Sequence, residues 1–216
     1  QIIRYLVGRK GILADGVCDV GAFLKTSAET SIPDGQLLIA PFSLQPGAYP
    51  PALEKTPGLS FLCYVLRPQS KGSIHIQSKQ ALAAPVVRPN YMTAEYDRRV
   101  GANLVRATRK IAAHSHLSQW LGEETSPGFA AQSDDEIMDH FNKSGACGFH
   151  AVGTCRLGQD NNSVVDGRLR VSGVTGLRIM DCSVLPIMIA GNTNGPVMAL
   201  SWKAADWILE DAKNHH

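Results

Sequence analysis

The sequence predicts an α+β fold: an antiparallel sheet with flanking helices, followed by a glycine-punctuated strand region that ends in a helix. Three observations predict it. Ser73-Ile74-His75-Ile76-Gln77 alternates with period two after the compact apolar run Leu59 to Leu66, and the pair reads as a hairpin with one buried face. Asp97 to Ala113 keeps Val100, Leu104, Ala107 and Ile111 on one face, the period of a helix whose apolar stripe needs a sheet to cover. After Gly148 come the short β-type runs Val164-Val165, Leu169 to Val171 and Leu177 to Met180, separated by Gly167, Gly173 and Gly176.

Taken in order, the chain opens on the amphipathic segment Ile2-Ile3-Arg4-Tyr5-Leu6, which ends at Gly11. Ala14 to Lys25 reads as a loop entering a short strand. Residues 28–58 are rich in Pro, Gly and Ser; a strand over Gln36 to Pro41 interrupts this loop, and Pro46, Pro50, Pro51 and Pro57 punctuate the rest. Pro68 to Gly72 has turn chemistry. Ser133 followed by Glu136 is a capping-box pattern, with Asp134 and Asp135 where a helix dipole favours anions, so a second helix runs from there to about Asn142. A last helix is expected from Pro196, since proline suits the first helical position, through Leu200, Ala204, Trp207 and Ile208. No internal repeat or low-complexity tract is present.

Composition narrows the function classes. Hydrophobic residues are 44% and charged residues 19% of the 216, too apolar for a disordered chain and enough for a sizeable core. The net charge of +2 comes from scattered basic residues, so no nucleic-acid or anionic-membrane surface is advertised. Cys18, Cys63, Cys147, Cys155 and Cys182 are odd in number and contain no CxxC pair, so neither a disulfide framework nor a zinc site follows, and a reducing compartment is preferred. No apolar run approaches the roughly 18 residues of a membrane span. A soluble chain, cytoplasmic by preference, is the expectation. The sequence begins at Gln1 with an amphipathic segment already under way, like a chain joined in the middle, and His215-His216 reads equally as a tag stub or a natural tail.

Two patches carry candidate chemistry. His150 lies in the glycine-flanked stretch Gly148-Phe149-His150-Ala151-Val152-Gly153-Thr154-Cys155-Arg156-Leu157-Gly158. A histidine there is either an acid/base group, its ordinary pKa being easily poised at working pH, or a structural residue donating to a backbone carbonyl. The second patch, Gly191-Asn192-Thr193-Asn194-Gly195-Pro196, leads into the last helix, whose first-turn amides lack internal partners and favour an anion. Equally, Asn192 or Asn194 caps that helix.

With these motifs in one order, the chain resembles the glucose–methanol–choline (GMC) oxidoreductases. His150 to Gly158 is similar to the catalytic-histidine motif of that family. The run Gly176 to Pro186, then Gly191 to Pro196 and Ala204-Ala205-Asp206, continues the likeness. Upstream, Leu66 to Ile74 and Pro89-Asn90-Tyr91 resemble its substrate-domain hairpin and the strand before its long helix. The resemblance implies a substrate-binding domain over residues 1–148 and, over 149–216, a C-terminal catalytic segment completing an FAD-binding α/β domain supplied elsewhere.

The resemblance also implies a mechanism. His150 would accept the proton of a small alcohol while a hydride leaves the carbinol carbon for flavin N5, and Asn194 would hydrogen-bond the same oxygen. Asp181, Cys182, Thr193, Asn194, Gly195 and Pro196 would contact FAD, with the helix start facing the pyrimidine edge where negative charge develops. No metal is implied.

The GxGxxG loop with which the family binds the ADP part of FAD does not occur in this sequence. A separate subunit, a cleaved parent chain or an engineered truncation would each explain this, and all imply a partner segment carrying that loop and a chain that is no functional monomer. Two other functions compete: a flavin-bound hydroxynitrile lyase on the same fold, and a non-catalytic scaffold or regulatory subunit. A Cys147 nucleophile lacks an identifiable orienting group and oxyanion site. His75 is expected on a solvated strand face, and His114 with His116 at a helix end. Trp120, Trp202 and Trp207 are expected to pack in the core. Phe149, Phe42 and Tyr49 either line a pocket or pack ordinarily.

Overall fold

The computed structural model describes residues 2–11, 14, 16–18, 20–45 and 52–214, so Gln1, Pro46, Tyr49, Pro50, Pro51, His215 and His216 lie outside the described residues. Contacts divide the chain into two compact units, residues 1–65 with 94–146 and residues 66–93 with 147–216.

In the first unit, helix α1 (Ile2–Gly8) precedes strands β1 (Val20–Leu24), β2 (Gly35–Ala40) and β3 (Ser60–Val65), an antiparallel sheet with β2 in the middle. The centre of the sheet is the buried element: Leu37, paired with Ala22 and Cys63, is 1% exposed. Asp34 closes the β1–β2 turn by accepting hydrogen bonds from the Thr26 amide at 2.7 Å and from the hydroxyls of Thr26 and Thr30 at 2.8 and 3.1 Å. Helix α2 (Glu95–Ala112) lays Val100 and Leu104 against β2 and β3, as its apolar period predicts. It comes so close that a Cβ on Gly35 would lie 2.4 Å from Leu104 Cδ2, which reserves that position for glycine.

The short helix α3 (Ser115–Ser118) follows, and α4 (Asp134–Ser144) packs on α2 through buried Ile137 and Met138. The expected capping box is present: the Ser133 hydroxyl accepts from the Glu136 amide at 3.3 Å, and the Glu136 carboxylate accepts from the Ser133 amide at 2.8 Å. Arg98 pairs with Asp135 and Arg106 with Asp134, tying the α4 start to α2.

The second unit contains the two-stranded sheet of β4 (Ser73–His75) and β5 (Val86–Arg88), a 3-10 turn at Cys182–Val184 and helix α5 (Asn194–Asn214). Its core joins Val165, Leu169, Val184 and Ala204, with Leu157, Ile179 and Trp207 packed against them. Arg168 reaches Glu210 and Asp211 at 3.0 and 2.9 Å, and Arg178 also bonds Asp211, so the end of α5 is tied to the loops it covers. Among the described residues, no helix is long and apolar enough to cross a membrane.

The α+β class stands, with several local departures. The apolar run and the alternating segment do not pair with each other: β3 pairs with β2, and β4 pairs with β5, Ile74 opposite Val87. Period two reveals that a segment is extended but not which strand lies beside it. The β-type runs after Gly148 form isolated bridges (Leu157 to Val165, Val165 to Val171, Arg170 to Arg178) instead of strands. Left-handed backbone at Leu169, Gly173 and Gly176, φ +64°, +74° and +78°, interrupts them. Helix α5 begins at Asn194, not Pro196. Its first i to i−4 bond runs from the Val197 amide to the Thr193 carbonyl at 3.0 Å, so proline still occupies a position whose N–H has no helical acceptor. Trp120 and Trp202, expected in the core, are each 79% exposed.

Candidate active site

The site is built in the second unit from the loop that carries His150, a 3-10 turn and a helix start. Residues 153–157 run beside the turn and donate to it from the amides of Gly153, Cys155 and Leu157, a chain turn at Thr154 and Cys155 bringing the first two together. The amides of Gly153 and Cys155 both bond the Ser183 carbonyl, at 3.1 and 3.0 Å, and Leu157 bonds the Val184 carbonyl at 2.8 Å. Gly153 adopts φ +90°, a left-handed conformation that glycine accepts without a Cβ penalty. The turn itself is anchored by Val184, fully buried in the core, and begins at Asp181, whose Oδ1 accepts from the Ser183 amide at 2.7 Å.

His150 is half-buried ahead of this segment. Its Nε2 lies 3.5 Å from Nδ2 of Asn192, at the outer edge of hydrogen bonding. Of the two asparagines in the helix-entry loop, Asn192 is the one that reaches the imidazole; Asn194 is exposed at the first position of α5. From the sequence alone, Asn192 is expected only as an alternative cap of the last helix. Its signal was its place in the Gly191 to Pro196 loop, but a contact spanning 42 residues has no local signature.

The remaining sequence-nominated residues fall around the same turn and helix. Asp181 is exposed, with its carboxylate engaged on the turn, and Cys182 is half-buried within the turn. Thr193 is 5% exposed and supplies the first carbonyl of α5. Asn194, Gly195 and Pro196 are exposed, the first turn carries no acidic residue, and open space surrounds the Cβ position of Gly195. Backbone amides at such a start make an anion-favouring end with no competing carboxylate.

The other candidates take quieter places. Cys147 is exposed and accepts from the Phe149 amide at 3.2 Å. Its hydrogen bond with Tyr91, more than burial, holds that phenol above its ordinary pKa. Phe149 is 90% exposed at φ +57°, and His75 is exposed on β4. His114 caps α3 by accepting from the His116 amide at 3.4 Å, and the two rings stack. Among the described residues, no three His, Cys, Asp or Glu side chains gather as metal ligands.

A family model described as GMC oxidoreductase matches residues 68–201. The oxygen-dependent choline dehydrogenase of Klebsiella pneumoniae is 34% identical over 207 residues, which are 95% of this chain and 37% of that protein. The chain therefore spans little more than a third of that relative's length. Among solved structures, formate oxidase of Aspergillus oryzae superposes with a TM-score of 0.84 at 20% identity, covering 100% of this chain and 42% of that one. Pyridoxine 4-oxidase from Mesorbium loti superposes with a TM-score of 0.78 at 24% identity, covering 93% and 38%. At those identities the structural matches speak to fold alone.

Proposed function

The chain belongs to the GMC oxidoreductase family, and from that membership we propose that it forms the substrate-side and C-terminal part of an FAD-dependent alcohol oxidoreductase with His150 as its base. The carrying observation is the convergence of His150 Nε2 and Asn192 Nδ2 at 3.5 Å, in the same unit as the acid-free start of α5. A relative named as a choline dehydrogenase supports an alcohol as the substrate class. FAD as the cofactor agrees with a further structural relative, an FAD-dependent oxidoreductase from Chaetomium thermophilum, 25% identical over 84% of this chain.

Each group has a role in this reading. A substrate hydroxyl that displaces the long His150–Asn192 contact donates its proton to Nε2 and accepts from an asparagine amide, supplied by Asn192 or by Asn194. Asparagine does not titrate, so His150 alone holds the proton. The FAD isoalloxazine, when bound, supplies the acceptor for the hydride. The amides of Asn194 and Gly195 suit the edge on which charge develops, Thr193 and Pro196 shape that helix start, and the backbone at Asp181 and Cys182 lines the cofactor's phosphate or ribityl side.

Residues 1–148 act in this reading as the substrate-binding part and 149–216 as the catalytic segment, with the β4–β5 hairpin joining the latter's unit. Met198, Trp202 and Leu209 form an exposed apolar stripe along α5, at 65%, 79% and 60% exposure. It suits cover by a flavin-binding segment, either within a longer chain like those of the relatives or on a separate subunit. Anaerobic addition of small alcohols to the flavin-loaded protein tests the function. Bleaching of the flavin that His150→Ala slows by roughly 10²- to 10⁴-fold supports it, whereas equal bleaching in the variant removes His150 from the chemistry.

A further inference from the structure

We propose that the Asp181 carboxylate is a positioning residue for His150, acting through the 3-10 turn at Cys182–Val184. The inference rests on the reading of His150 as the base. Asp181 Oδ1 accepts from the Ser183 amide at 2.7 Å, and the carbonyl of that same Ser183 accepts from both Gly153 and Cys155, at 3.1 and 3.0 Å. One residue thus receives the carboxylate on its amide side and holds the histidine segment on its carbonyl side.

The link is stiff at each end. Val184, the next residue, is fully buried, and its carbonyl takes Leu157 at 2.8 Å. Gly153, at φ +90°, turns the chain so that two amides converge on one oxygen three residues beyond His150. The Asp181 carboxylate is engaged on the turn by its bond from the Ser183 amide. Without it the Ser183 amide loses its side-chain partner, the turn relaxes about buried Val184, and the carbonyl that seats residues 153 and 155 shifts. A base needs placement within fractions of an ångström, and a displacement of about 1 Å costs on the order of 10²-fold in rate.

The test compares Asp181→Ala with Asp181→Asn in the flavin-loaded protein. Asparagine retains an oxygen acceptor at the same reach and caps as well as aspartate does. The expected result for Asp181→Ala is a fall in kcat for the alcohol of about 10- to 100-fold with KM little changed, together with amide exchange at Gly153 and Cys155 about tenfold faster. Asp181→Asn restores both. Unchanged exchange at Gly153 and Cys155 in a folded Asp181→Ala protein overturns the proposal. So does loss of bound flavin with exchange unchanged, which assigns Asp181 to the cofactor alone. If His150→Ala leaves turnover intact, the reading of His150 as base fails, while the exchange readout still decides whether Asp181 seats the 150–155 segment.

Discussion

Arg109 on α2 grips Glu124 with a two-pronged hydrogen bond, Nε to Oε2 at 2.8 Å and Nη2 to Oε1 at 2.9 Å. The same guanidinium donates to the carbonyls of Ala131 and Gly128, at 2.8 and 3.1 Å, and lies over the Phe129 ring. One planar cation thereby organises the connection between α3 and α4, and its hydrogen bond to Glu124 is the main cause raising its own pKa. Arg109→Lys keeps the charge but not the fork, so it is expected to lower stability by about 1–2 kcal/mol. Urea unfolding measures this, and a lysine variant as stable as the parent contradicts the role of geometry.

The α4 start depends on its capping box. Ser133→Ala is expected to cost about 0.5–2 kcal/mol, read as a lower denaturation midpoint with unchanged slope. Pairing with the Ser133 amide first, and the Gln132 amide next, holds the Glu136 carboxyl below its ordinary 4.5. A depressed carboxylate stabilises the fold above its unfolded pKa and loses that contribution as pH falls through the folded pKa. Stability should therefore decline on acidification below about pH 4.5 less steeply in Glu136→Gln than in the parent.

His140 sits 3.1 Å from the Ser126 hydroxyl, and burial lowers its pKa from 6.5. The unfolded chain then binds the proton more readily, so acidification below that value favours unfolding and the contribution is absent above it. His140→Gln should flatten the stability profile between neutral pH and the folded pKa. Thermal melts across that range check the sign.

Gly153 cannot take a side chain without strain at φ +90°. Gly153→Ala is expected to cost about 1–2 kcal/mol and to loosen the two amide bonds to Ser183. A crystal structure or amide exchange of the variant reads the second effect directly.

Asn192 faces His150, and its removal separates the two readings of the helix-entry loop. Asn192→Ala should lower alcohol turnover by about tenfold if this amide steadies the imidazole, the value of one hydrogen bond of ordinary strength. Asn194→Ala should cost more if it holds the substrate oxygen. Paired with His150→Ala in a double-mutant cycle, the partner of the base shows a coupling and the bystander shows none.

What the sequence determined by itself was local. The apolar period of α2 and the Ser133–Glu136 box of α4 are encoded within a few residues of where they act and are present as expected, and the strand expected over Gln36 to Pro41 is present one residue earlier, at Gly35–Ala40. Ordered motifs around His150 and the helix-entry loop likewise marked the family. Tertiary structure decided what joins segments remote in the chain. It paired β3 with β2 in one unit and β4 with β5 in the other, started α5 at Asn194, left Trp202 exposed, and set Asn192 beside His150. Periodicity and capping are properties of neighbours along the chain, whereas strand partners and side-chain encounters depend on which distant surfaces close together, and no short window of residues contains both sides of such a contact.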